Sequence, residues 1–238
     1  MHTKRLKQVF NTISFMTVIA ILLFAALPVT ANTLTVDKGF YGVNNVKVFL
    51  DGKETITDAG EFRVYYNDSS DSYMPGYCVD LTTPINYNQA YEINGTPLPE
   101  NYTANGLYVE WLMDYSFTFA GNNNYKGAGL QLAIWETLYD LNPLSTENPF
   151  ERTRFSYGLS LLNNSNAVAG VNGWYDHFIS SLTNEINSGF NYVSSGKYVV
   201  ADLKVGQDII TNPIPEPGTL ILLSMGLLGL GAIGRKRT

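Results

Sequence analysis

The chain has 238 residues, a formal net charge of −6, one cysteine and two histidines. The charge is unevenly spread: Asn32–Asn212 holds 9 basic and 20 acidic residues, a net of −11, while both ends are basic and apolar. An acidic centre with no basic stripe excludes nucleic acid as a partner, because phosphate binding needs clustered Lys and Arg, and the length allows one domain or two small ones.

The first elements are an address. Lys4, Arg5 and Lys7 precede an apolar run from about Ile13 to Leu27, and Pro28-Val29-Thr30-Ala31 closes it with a small residue. A positive start, an apolar run too short to span a bilayer comfortably and a small-residue end specify a secretory signal peptide over residues 1–31.

Residues 32–212 then read as one domain large enough for its own core. Val46-Lys47-Val48-Phe49-Leu50 alternates as a strand, and Asp51-Gly52 behind it is a hairpin turn signal. Glu61–Tyr66 and Gly76–Leu81 are two further strands, the second with Tyr77, Val79 and Leu81 on one face and Cys78 on the other. Tyr87–Ile93 follows as a fourth. The period then changes. Leu107, Trp111, Leu112, Tyr115 and Phe119 recur at helical spacing, as do Ile134, Trp135, Leu138 and Leu141. Trp174, Phe178, Leu182 and Ile186 predict a third helix over Gly173–Asn187, ended by Gly189. Lys197–Leu203 and Gln207–Thr211 return as strands. Strands, helices and strands again predict an α+β fold: an antiparallel β-sandwich or barrel-like domain with a helical insertion.

The C-terminal residues 213–238 are a second address. Pro215-Glu216-Pro217-Gly218-Thr219 stiffens the approach to a Leu- and Gly-rich run over residues 220–234, and Arg235-Lys236-Arg237 follows. The run is about 15 residues, short for a permanent span of ~20, and its basic end belongs on the cytoplasmic side. These three parts in order resemble the PEP-CTERM sorting domain of Gram-negative bacteria. The resemblance implies a transient inner-membrane helix, processing by an exosortase near Pro215, Glu216 and Pro217, and delivery to the cell surface or an exopolysaccharide (biofilm) matrix.

The central domain is poor in familiar catalytic groups. One cysteine makes an intramolecular disulfide impossible, and a lone thiol in an exported chain is a liability unless buried, paired between chains or chemically used. After the signal peptide only His177 remains, so Cys78 and His177 fall short of a zinc site. No Gly-rich phosphate loop, His-Glu-x-x-His or Gly-x-Ser-x-Gly motif occurs; no metal or cofactor is expected. Gln131 is the second unusual residue. It shares a helical stripe with Ile134, Trp135 and Leu138, the stripe expected to face the core, and a buried amide left unsatisfied costs about 1–3 kcal/mol.

Tyr77-Cys78-Val79-Asp80 followed by Leu130-Gln131-Leu132-Ala133-Ile134-Trp135-Glu136 resembles the paired motifs of the bacterial thioester domain, with Leu130 where that family usually carries Thr. The resemblance implies that the Cys78 sulfur bonds the Gln131 side-chain carbonyl and expels ammonia. It further implies that the bond captures an amine or hydroxyl nucleophile on a surface protein or polysaccharide in a single-use adhesion reaction, without enzymatic turnover. Tyr77, Trp111 and Trp135 are expected to shield the bond from water. Two other readings stand beside it: a structural or glycan-binding matrix protein with the same fold and no bond, in which Cys78 is a small buried hydrophobe, and a hydrolase built on Cys78 and His177.

Overall fold

The computed structural model describes residues 33–66, 73–81, 83–97, 105–119, 123–145, 148–151, 153–194, 196–203 and 207–212. The signal peptide, the Pro-Glu-Pro motif and the apolar run of residues 220–234 lie outside them. Among the described residues, no helix is long and apolar enough to cross a membrane.

Strand β1 (Thr33–Leu50) is far longer than the alternation at its end. It survives the turn-like Gly39 and Asn44-Asn45 because register shifts between Val36 and Phe40 and between Val43 and Val46 absorb them. It turns into β2 (Lys53–Tyr66) through Asp51 and Gly52 at φ 51° and 80°, the left-handed pair that a two-residue hairpin requires. Strands β3 (Met74–Cys78), β4 (Ala90–Pro97), β6 (Val199–Leu203) and β7 (Ile209–Thr211) complete an antiparallel sheet in the order β2-β3-β7-β6-β4-β1. Because β1 pairs β2 along its length and β4 over Thr33–Thr35, the sheet curls back on itself.

A short strand, β5 (Phe155–Gly158), pairs the far end of β1 over Lys47–Leu50. No alternation in the sequence announces it. It is held from α2 (Asn124–Asp140): Asp140 accepts from the Arg154 and Phe155 backbone N–H groups. The other helices are α1 (Gly106–Ser116) and α3 (Ser165–Asn187), so the helices lie between β4 and β6 in the chain with β5 among them. The α+β architecture with a curled antiparallel sheet and inserted helices is the one expected from the sequence. Helix α3 begins eight residues before the expected Gly173, where Asn164 caps it by accepting from Asn166 and Ala167.

Helix α2 is the centre of the described domain. Asn123 caps its start by accepting from Tyr125 and Lys126, and every residue from Gly127 to Leu138 is buried. Two glycines make this possible. A Cβ on Gly127 would lie 2.1 Å from the Tyr41 carbonyl oxygen of β1, and one on Gly129 would lie 2.6 Å from Cβ of Trp174 on α3. The helix therefore touches the sheet and α3 with bare backbone, and its side chains fill the space around it. Gln131 lies on the expected inward stripe, but Leu130, Leu132 and Ala133 on the other faces are equally buried.

Candidate functional site

The site begins with the amide pattern of β3. The Val79 N–H donates to the Asp208 carbonyl on the β7 side at 3.0 Å. Backbone groups alternate sides along a strand, so the N–H and C=O of Cys78 face the β2 side. There the ladder has stopped: β2 and β3 pair only as far as Phe62 opposite Gly76, and Gly60, the residue of β2 that would come opposite Cys78, keeps only its partner on the other edge, Gly42 of β1. Two buried backbone groups would be orphaned. The side chain of Gln131 takes that rung. The Cys78 N–H donates to Gln131 Oε1 at 2.9 Å, and Gln131 Nε2 donates to the Cys78 carbonyl oxygen at 2.7 Å. Both residues are sealed, Gln131 at 0 % exposure and Cys78 at 2 %.

The neighbourhood is fixed by the same two elements and by β7. Tyr139, two turns beyond Gln131, donates to the Val79 carbonyl at 3.1 Å, so α2 holds the last residue of β3 and the one after it. Gln207 lies opposite Asp80 when the β3–β7 register is extended; its Nε2 donates to the Asp80 carbonyl, and its amide hydrogen-bonds the Cys78 thiol. Burial, then the Asp80 charge, holds the thiol well above its usual range; the Gln207 hydrogen bond works the other way and is outweighed. Half-buried Tyr87 is pushed up to about 12 by burial, with the charges of Asp58 and Cys78 adding to it. Gln207 and Tyr87 are the residues that sequence reasoning missed. Gln207 became visible only when β7 paired with β3 across more than a hundred residues of chain.

The three residues expected to shield the sulfur are placed differently from one another. Trp135, one turn beyond Gln131, is fully buried and tilted against Phe155. Tyr77 alternates to the opposite face of β3 from Cys78 and donates to Glu61 at 3.0 Å. Burial and the Glu61 charge lift its phenol well above the usual range. Trp111 stacks on Tyr115, one turn further along α1, at 4.8 Å. That aromatic group also holds His177, whose Nε2 lies 3.3 Å from the Tyr115 hydroxyl and whose ring packs against Phe119 and Trp174. The structure thus gives His177 aromatic partners, and it gives Cys78 a raised thiol, the opposite of the lowered one that a Cys–His pair uses. Among the described residues no group of three or more His, Cys, Asp or Glu could hold a metal ion.

Chemically, the clamp does two things. It fixes the carboxamide of Gln131 against the backbone of the residue that carries the thiol. It also aims the Cys78 N–H at Oε1, the atom on which negative charge develops if sulfur attacks the amide carbon.

Residues 213–237 match the PEP-CTERM protein-sorting motif. The match covers the Pro-Glu-Pro, the apolar run and the basic end, and makes this an exported, membrane-transiting chain whose sorting implies processing by an exosortase. Among curated proteins the chain has no match. Among solved structures, the N-terminal thioester domain of fibronectin-binding protein SfbI from Streptococcus pyogenes is similar over 74% of this chain and 99% of that domain. The identity is 12% and the TM-score 0.42, a likeness too loose to carry residue roles across.

Proposed function

We propose that the exported chain is a surface or matrix protein of a Gram-negative bacterium, and that residues 32–212 attach it covalently through an internal thioester between Cys78 and Gln131. The observation that supports this reading is the pair of hydrogen bonds between the Gln131 amide and the Cys78 backbone, sealed from solvent. Formation balances without an outside reagent. The Cys78 sulfur bonds Cδ of Gln131, the Cδ–Nε2 bond breaks, and the thiol proton leaves with the nitrogen as ammonia. The raised thiol favours a proton passing from sulfur to the departing nitrogen over a free thiolate attacking alone. Capture then runs through the same carbon: an amine or hydroxyl on a surface protein or polysaccharide bonds Cδ, and the thiol is restored. The chain is consumed and does not turn over. Trp135 and the close packing of α2 supply the water exclusion that a thioester needs.

Intact mass of the exported protein is the test. The expected result is a deficit of one ammonia, absent from Cys78→Ala and replaced by an adduct on Gln131 after methylamine treatment. Full calculated mass with a thiol that alkylates once the chain is unfolded would sink the reading and leave a structural matrix protein in which the clamp only joins β3 to α2.

A further inference from the structure

The geometry of the clamp bears on what happens after capture, and this step rests on the thioester reading. Gln131 Oε1 and Nε2 reach the N–H and C=O of one residue, Cys78. The carbonyl and the donated hydrogen must therefore point the same way, so that hydrogen is the one on the oxygen's side of the C–N bond. Only a primary amide carries a hydrogen there. In a secondary amide of the ordinary trans geometry that position holds the substituent, and the remaining N–H points away. At Gln131 the substituent would be driven toward the Cys78 carbonyl oxygen, 2.7 Å from the nitrogen, in a site with no exposed surface. Refitting the clamp would require the cis form, which is disfavoured by about a hundredfold for simple secondary amides.

We infer that the clamp makes the site a one-way trap for substituted amines while leaving it reversible toward ammonia. Ammonia opening the thioester bonds Cδ and returns the thiol proton to sulfur; the product is Gln131 itself, which seats in the clamp and can lose ammonia again. A primary amine opening it gives an N-substituted amide that cannot seat. The amide carbon is then no longer held against the sulfur, so the reverse attack loses the effective molarity that drove formation. Among amines the consequence is selective: one carried by the target, such as a lysine side chain or an amino sugar, is retained, whereas ammonia is not.

The test opens the thioester of the full exported chain with ammonia in one arm and methylamine in the other. Reagent is removed by desalting, and intact mass is followed with time. The expected result is that the ammonia-opened chain loses one ammonia again while the methylamine adduct persists, the two re-closure rates differing by about a hundredfold or more. Release of methylamine at a rate comparable to that of ammonia would overturn the inference, and so would an ammonia-opened chain that stays open; in both cases the thioester itself stands. A chain that shows no ammonia deficit at the outset removes the thioester reading and this inference together.

Discussion

Cys78 is tied into the fold by its backbone more than by its side chain. Its N–H and C=O are buried and depend on one amide, so the side chain of Gln131 acts as a missing residue of β2. Deleting the sulfur leaves that support intact, whereas deleting the amide orphans two buried polar groups at about 1–3 kcal/mol each. In a Cys78→Ala background, where no covalent bond complicates the comparison, Gln131→Met is expected to cost about 3 kcal/mol or more. It should appear in urea melts as a lower midpoint at unchanged slope. A loss below about 1 kcal/mol would mean that the amide is not the strut. The contact between Cys78 and Gln131 was legible in the sequence only because the two short motifs that hold them resemble the paired motifs of the thioester domain. The hydrogen bond from Gln207 to the thiol was not, because nothing near Gln207 in sequence marks which strand it will face. Alternation was enough to put Tyr77 on the opposite face of β3 from Cys78, whereas its partner there, Glu61, was not legible.

At the scale of the element, α2 carries the site only because it can lie directly on the sheet. Gly127 meets the backbone of β1, which cannot give way as a flexible side chain could. Gly127→Ala is expected to lift the start of α2 from β1 and cost about 1–3 kcal/mol; by withdrawing Gln131 from Cys78 it should also reduce the fraction of chains showing the ammonia deficit. Gly173 on the exposed face of α3 is the control. A Cβ there meets nothing within 4 Å, so Gly173→Ala should stabilise by about 0.5–1 kcal/mol and leave the mass unchanged. Thermal melts read both, and equal effects from the two substitutions would refute the role given to Gly127. The periodic parts of these elements were legible, and so was the hairpin at Asp51-Gly52. The full length of β1 was hidden because bulges put turn residues inside a strand. Strand β5 was hidden because its position is set by Asp140 and by β1, not by its own four residues.

Across the whole molecule, burial has lifted one set of acids together. Cys78 and Tyr77 lie well above their usual ranges, Tyr87 is pushed up to about 12, and Tyr139 and Tyr198 are raised, with burial the first cause in every case. In the unfolded chain a thiol ionises near ~8.5 and a phenol near ~10. Folded values above unfolded ones mean that the unfolded state loses protons first, so the stability from these groups is complete below the unfolded pKa and is lost as pH rises. Each fully buried group contributes a slope of about 1.4 kcal/mol per pH unit between its two values. Glu61 is also raised, again chiefly by burial, and pulls in the same direction from about 4.5 upward, so it does not offset the alkaline loss. The Cys78→Ala chain, which has no thiol to titrate, should therefore hold its urea midpoint to about pH 9 and lose stability beyond it as unfolded phenols ionise. A chain opened to the free thiol should begin to fall roughly one pH unit earlier. A midpoint unchanged up to about pH 10.5 in both chains would show that Tyr77 and Cys78 are not held neutral by burial, and would remove the physical basis for a proton passing from sulfur to nitrogen as the bond forms.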